Sequence, residues 1–345
     1  MSRLPLPSKP SGAVAVLAAI ATLGACTTQG PETGRTGRIS VAYIQKQGDQ
    51  QYFRDEAAGA RARAAELGID LEVVDVGTDA ARTIDAVRTA AARGARGVVV
   101  AVPDPALGPQ LVRLAHDARI DLLASDDQIC ADLGDPAVCA RQKLVPRVGF
   151  SGSQMGEAVG RRAAVEYRKA GWKAADTRIV AAARMDLSVC RERIDAAKLA
   201  FLQDAGQVRT LNVSTDNTPD GARSAVAATT AAESGNPEHW VVWGCNDENV
   251  EGGLAALRAA GVPEADLIGV GLGGYLACRD WQGGEHGQRF AMRAALSISG
   301  REVGALAVQT MYDKLRSGRP FPAEAFAPTA MVDPETWQAS GATCG

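Results

Sequence analysis

Two tandem α/β units, each a parallel sheet covered by helices on both faces, form the fold class that the sequence predicts. Three observations carry this. Short β-branched runs alternate with longer stretches of helical period, the alternation runs through two successive series, and a 345-residue chain suffices for two domains of about 100–200 residues each. Apolar strands separated by amphipathic helices indicate a parallel, doubly covered sheet.

The first strand spans Ile39–Ile44, after which Phe53, Ala57, Ala60, Ala64 and Leu67 recur at helical spacing until Gly68 stops the helix. Strands follow at Leu71–Val76, Gly97–Ala101 and Asp121–Ser125, with helices at Ala80–Arg93 and Ala106–Ala118. The second series places strands at Arg178–Ala183, Val208–Val213, Trp240–Trp243 and Leu267–Gly271. Its helices run over Gln154–Lys169, Leu187–Ala205, Gly221–Ser234 and Asn249–Ala260. A last helix, Arg301–Leu315, carries Val303, Leu306, Ala307, Met311 and Leu315 on one face and ends at Gly318 before Pro320.

Upstream of the body, Arg3 and Lys9 precede an apolar run, Gly12–Leu23, that is too short to span a bilayer and ends in Leu23-Gly24-Ala25-Cys26. This resembles a bacterial lipoprotein signal. It implies removal of residues 1–25, acylation of Cys26 and an extracytoplasmic, membrane-anchored location, with residues 26–37 as a flexible Gly/Thr-rich tether. A cleaved secretory peptide is the plainer alternative. The net charge of −3, from 37 basic and 40 acidic residues, offers no basic field for nucleic acid.

In doubly wound sheets ligands bind beyond the carboxyl ends of strands. Those junctions carry Lys46, Pro103-Asp104-Pro105, Asp126-Asp127-Gln128 and Gly244-Cys245-Asn246-Asp247. With Lys46-Gln47 followed by Tyr52-Phe53, VPDPALG at 102–108, AGW at 170–172 and HWVVWGCND at 239–247, their order resembles the L-arabinose-binding protein family, periplasmic sugar-binding proteins of ABC importers. The resemblance covers about Ile39 to Trp337.

It implies a periplasmic binding protein type I fold: two Rossmann-like lobes joined by three crossings, near Gly149, Ser297 and Phe326. The N-terminal lobe is then 38–149 plus 298–326, and the C-terminal lobe 150–297 plus 327–345. Lys46, Asp127, Arg193 and Asn246 match family positions that hydrogen-bond the sugar, Asp127 at the anomeric hydroxyl and Arg193 at the ring oxygen. Tyr52 matches the stacking aromatic and Phe53 its neighbour, while Phe150, Leu187 and Cys245 match packing positions. Asp126 and Gly273 complete the ligand set together with Gln50, which replaces a family glutamate. Val189, Gly273 and Leu276 stand where the family has a threonine, an asparagine and an aspartate. A less polar or deoxy aldose is therefore as much expected as an arabinose- or galactose-like sugar, with Tyr275 filling the space. Several of these residues also have a plainer reading: Asp126-Asp127 as a cap of the following turn, Asn246 as a helix cap, Lys46 as a solvated charge, and Tyr52 and Phe53 as core.

Six cysteines beyond Cys26 allow fifteen pairings. Once the fold is granted, Cys130 with Cys139 closes a short loop and Cys278 with Cys344 pins the C-terminal tail. Cys190 and Cys245 are left either as a third bridge or as buried thiols.

The strongest enzymatic signal is Gly269-Val-Gly271-Leu-Gly273-Gly274, a dinucleotide-type G-x-G-x-x-G. It lies late in the chain rather than in a first βα turn, and the exported location offers little nicotinamide cofactor. His116, His239 and His286 show neither metal-ligand spacing nor a nearby nucleophile. The expectation is a monomeric solute-binding lipoprotein without cofactor, metal or catalysis, partnered by an ABC permease. The alternative is a sensor that reports to a receptor or kinase without transport. A DNA-binding repressor, which shares the bilobal architecture, is set aside because the chain begins with an export signal and not a helix-turn-helix.

Overall fold

The structure, a computed structural model, describes residues 38–127, 129, 146–233, 235, 237–283, 290–340 and 344. Cys26, the signal and tether segments, the Cys130–Cys139 loop closure and His286 lie outside the described residues.

The first lobe is laid down as β1 (Ser40–Gln45), α1 (Gln51–Leu67), β2 (Asp70–Asp75), α2 (Ala80–Ala92), β3 (Gly97–Val100), α3 (Gly108–Ala118), β4 (Asp121–Ser125) and β5 (Arg147–Gly149). The second follows as α4 (Gly152–Ala170), β6 (Thr177–Ala183), α5 (Ser188–Ala205), β7 (Arg209–Ser214), α6 (Pro219–Ala231), β8 (His239–Gly244), α7 (Asp247–Ala259), β9 (Leu267–Gly273), α8 (Ala277–Gln282) and β10 (Met292–Ser297). The chain then returns through α9 (Gly300–Ser317) and β11 (Glu324–Phe326) and ends its sheets with β12 (Ala330–Val332).

The first sheet has the order β11-β5-β4-β3-β1-β2 and is parallel throughout. The second, β12-β10-β9-β8-β6-β7, is parallel except for the antiparallel edge strand β12. Both sheets repeat one winding, so each has a topological switch point, at β1/β3 and at β6/β8. The chain passes between sheets after Gly149, after Ser297 and after Phe326.

Sequence periodicity did not show β5, β10, β11, β12 or α8. Three of those strands are three residues long, too short for a period to register, and β10 reads MRAALS, poor in β-formers. The helix expected from Ala106 begins at Gly108, because Pro105–Leu107 forms a 3-10 turn capped by Asp104, whose carboxylate accepts from the Ala106 N–H. The G-x-G-x-x-G segment is not a phosphate loop: Gly269 and Gly271 lie inside β9, where a Cβ would meet Leu254 and the Asp247 carboxylate of α7 at 2.7 and 2.5 Å. These glycines let α7 sit close on the sheet.

Two close helix pairs support the cleft. A Cβ on Gly304 of α9 would stand 1.9 Å from the Glu56 carbonyl of α1, and one on Gly156 of α4 would stand 2.1 Å from the Arg193 carbonyl of α5. Each helix that follows a crossing is thereby pressed against the helix whose first turns face the cleft. Among the described residues no helix is long and apolar enough to cross a membrane.

Candidate functional site

The switch points of both sheets open onto one cavity of ≈ 50 Å³. From the first lobe come Lys46 after β1, Gln47, Gln50, Tyr52 and Phe53 around the start of α1, and Asp126 after β4. From the second come Leu187, Val189, Cys190 and Arg193 around the start of α5, Asn217 before α6, Cys245 and Asn246 after β8, and Leu272 and Tyr275 around the end of β9. Ile298 enters from the second crossing.

Charge is concentrated where the lobes meet. Lys46 Nζ lies 3.2 Å from Asp126 Oδ2 and donates to Asp127 Oδ2 at 2.8 Å. Burial works against the ammonium, yet the Asp127 and Asp126 carboxylates outweigh it and hold the Lys46 pKa above its ordinary value. Burial likewise opposes the Asp126 carboxylate, and Lys46 with Arg193 turns the balance so that its pKa is lowered. Asp126 sits at φ 65°, a left-handed conformation that Asp tolerates better than most residues and that marks a strand end under constraint. Across the cleft Arg193 Nη2 stands 3.7 Å from Asp126 Oδ1, while its Nη1 donates to the Cys245 carbonyl at 2.8 Å.

The expected residues divide between wall and support. Lys46, Gln50, Tyr52, Phe53, Asp126, Leu187, Arg193, Cys245 and Asn246 line the cavity. Asp127 does not: it is fully buried, with Oδ2 on Lys46 and Oδ1 accepting from the Val189 N–H at 3.5 Å. Phe150 lies behind the wall, its ring 6.5 Å from that of Tyr52. Gly273 faces an adjoining cavity, and a Cβ there would meet the Tyr275 ring at 2.5 Å. Its role is therefore to admit Tyr275. Tyr275 fills the wall at this point, and its hydroxyl donates to the Glu248 carboxylate at 2.8–2.9 Å.

Asn246 caps α7, its Oδ1 accepting from the Asn249 N–H at 3.2 Å, and its Nδ2 donates to the Asn217 carbonyl at 3.1 Å. The cap reading and the cavity position hold together. Cys190 is bonded to Cys245, and Cys278 to Cys344. The first bridge lies on the cavity wall.

Sequence reasoning missed Gln47, Asn217, Leu272 and Ile298. Asn217 had a signal, since Asn before Thr-Pro marks a turn into a helix, and it adopts φ 64°. It missed the buried acids as well. Glu56 accepts from Tyr43 and Ser125, and burial pushes its pKa up to about 7. Burial raises Glu248 to about 7 and Asp247 to about 6. Among the described residues two polar groups at the cavity wall have no partner: the Tyr52 hydroxyl and Arg193 Nε. Among the described residues no His, Cys, Asp or Glu cluster could hold a metal ion.

Two lobes wound alike, with polar side chains around a small cavity at their switch points, have the architecture of a solute-binding protein. The chain belongs to the periplasmic binding protein domain family, whose model matches residues 41–320. An ABC transporter L-arabinose-binding periplasmic protein of Azospirillum brasilense is 26% identical over 309 residues, covering 89% of this chain and 90% of that protein. The L-arabinose-binding periplasmic protein of Escherichia coli K12 is 29% identical over 240 residues, covering 68% and 70%. In three dimensions the chain resembles an ABC transporter solute-binding protein from Mycobacterium smegmatis with bound glycerol, at TM-score 0.72 and 21% identity, covering 88% of this chain and 96% of the other.

Proposed function

We propose that this protein captures one monosaccharide between its lobes and delivers it to an ABC import permease. The observation that carries the reading is convergence: Lys46 and Asp126 from one sheet meet Arg193 and Asn246 from the other around a cavity that also presents Tyr52 and Phe53. A sugar ring has hydroxyls at its rim and C–H groups on its faces, and this combination of charged, planar and aromatic groups suits both. The arabinose-binding names of the relatives support the same class.

The Asp126–Arg193 pair suits an anomeric centre, with the carboxylate accepting from the hydroxyl and the guanidinium donating to the ring oxygen. Asp126 is assigned the hydroxyl in preference to Asp127, because Asp126 lines the cavity while Asp127 is fully buried behind it. Leu187, Val189, Leu272 and Ile298 on the wall favour an aldose with fewer hydroxyls on one side, since a buried hydroxyl without a partner costs about 1–3 kcal/mol.

The lobes, 38–149 with 298–326 and 150–297 with 327–345, act as two bodies that close over the ligand, the closed form being selected by its higher affinity. The protein works as a monomer outside the cytoplasm, held to the membrane by acyl chains on Cys26.

A thermal-shift screen of aldoses, deoxysugars and polyols, followed by calorimetry on the hits, tests the reading. Stabilisation by a monosaccharide at micromolar concentrations is expected. A chain that responds to no sugar, or that binds one equally well after Asp126→Asn and Arg193→Ala, does not have this function.

A further inference from the structure

We infer that the Cys190–Cys245 disulfide positions the second lobe's half of the binding site, so that its oxidation state sets sugar affinity; this rests on the sugar-binding reading above. Cys190 belongs to the first turn of α5 and Cys245 follows β8, so the bridge joins two of the segments that end at the cavity. A further segment is tied to it by Asn217, whose Nδ2 donates to Cys190 Sγ at 3.4 Å. Arg193, one turn beyond Cys190, donates through Nη1 to the Cys245 carbonyl and lies 3.7 Å from its sulfur. Asn246 is the next residue in the chain. Strands β6 and β8 are paired, and beyond that pairing the turns that carry Arg193 and Asn246 are held to each other by this covalent link and by the Arg193–Cys245 and Asn246–Asn217 hydrogen bonds.

The bridge lines the cavity, yet its cysteines are only 0% and 2% exposed. A dithiol reductant therefore reaches it only through an opened cleft. One reductant thiolate attacks a sulfur to give a mixed disulfide; the second closes the reductant into its cyclic disulfide, leaving two protein thiols. Because coupling between two equilibria is reciprocal, the factor by which reduction weakens sugar binding equals the factor by which bound sugar shifts this thiol–disulfide equilibrium toward the disulfide. The Cys278–Cys344 bridge joins α8 to the chain's C-terminal end, and neither cysteine lines the cavity. It serves as an internal control.

The experiment uses the full chain with L-arabinose, D-galactose and L-fucose as probes. Calorimetry compares the oxidised protein with Cys190→Ser/Cys245→Ser and with Cys278→Ser/Cys344→Ser, and mass mapping of alkylated cysteines follows reduction of the unmutated protein by dithiothreitol with and without sugar. The expected result is affinity at least tenfold weaker for Cys190→Ser/Cys245→Ser and within twofold of the oxidised protein for the control. Sugar should slow reduction at Cys190–Cys245 but not at Cys278–Cys344. Equal affinity with and without the cavity bridge, or equal protection of both bridges, overturns the inference. If the site variant does not fold, the reduction rates decide. If the oxidised protein binds none of the probes while a non-sugar solute stabilises it, the sugar reading has failed, and this inference with it.

Discussion

Arg193 Nη2 faces Asp126 Oδ1 at 3.7 Å across the cleft, so opposite charges from the two lobes stand face to face at the proposed ligand position. Hydrogen bonds to charged groups contribute about 1.5–3 kcal/mol each, so Asp126→Asn is expected to weaken sugar binding by about 10- to 100-fold in calorimetry. Arg193→Lys should not restore affinity to Arg193→Ala, because a point charge cannot hold both the Cys245 carbonyl and a ligand oxygen. Full affinity with lysine at this position would remove the guanidinium from the site.

Tyr52 is 8% exposed and its hydroxyl has no partner among the described residues. Tyr52→Phe keeps the ring and removes an unsatisfied buried oxygen, so the ligand-free protein should melt at the same temperature or slightly higher. Sugar affinity should fall about fivefold or more, the worth of one hydrogen bond of about 1 kcal/mol. A variant with unchanged affinity would reduce Tyr52 to a packing surface.

Buried acids set the pH dependence. Burial raises Glu56 and Glu248 to about 7 and Asp247 to about 6. A carboxyl whose folded pKa is raised binds its proton more tightly in the folded state, so the stability this gives is complete below the unfolded pKa and lost as pH rises through 6–7. Asp126 acts oppositely: its lowered pKa stabilises above the unfolded value and fails in acid. The ligand-free protein should therefore melt highest near pH 4, between the acid loss of Asp126 and the decline of the raised acids, with Tm several degrees lower at pH 8, each tenfold change in proton affinity being worth about 1.4 kcal/mol. Glu248→Gln should flatten the decline. A Tm that rises steadily from pH 5 to 8 contradicts this ordering.

Gly156 lies directly against the Arg193 carbonyl, where a Cβ would stand at 2.1 Å. Gly156→Ala should push α4 away from α5, lowering stability by about 1–3 kcal/mol as overpacking does and loosening sugar binding through Arg193. Gly283 offers the comparison, since among the described residues nothing lies within 4 Å of a Cβ there, and Gly283→Ala should leave both melting and binding unchanged.

Much of the fold was legible because hydrophobic period survives in long elements: α1 and α9 end at Gly68 and Gly318 as their sequences require, and Asp121–Ser125 is a strand from end to end. The three-residue strands were invisible because pairing, not composition, defines them. In the site, Lys46 and Asp126 could be named because each lies just beyond a strand end, whereas Arg193, inside the following helix, was named through the family resemblance. What separates Asp126 from Asp127 is a single left-handed φ, which turns one carboxylate to the cavity and buries the other. Glu56 and Glu248 gave no signal, since a helical glutamate usually faces water and only contacts distant in sequence, Glu56 with Tyr43 and Ser125 and Glu248 with Tyr275, reveal that these do not.

Gly304 against Glu56 and Gly156 against Arg193 weld each half of the cleft to the helix entering from a crossing. Arg193 and its neighbours therefore ride on a stiff block whose fit to the adjacent helix is backbone on backbone, indifferent to which side chains project from the outer turns. Such a division lets preference for one solute over another drift by replacement of projecting groups alone, while the backbone fit that carries them stays intact.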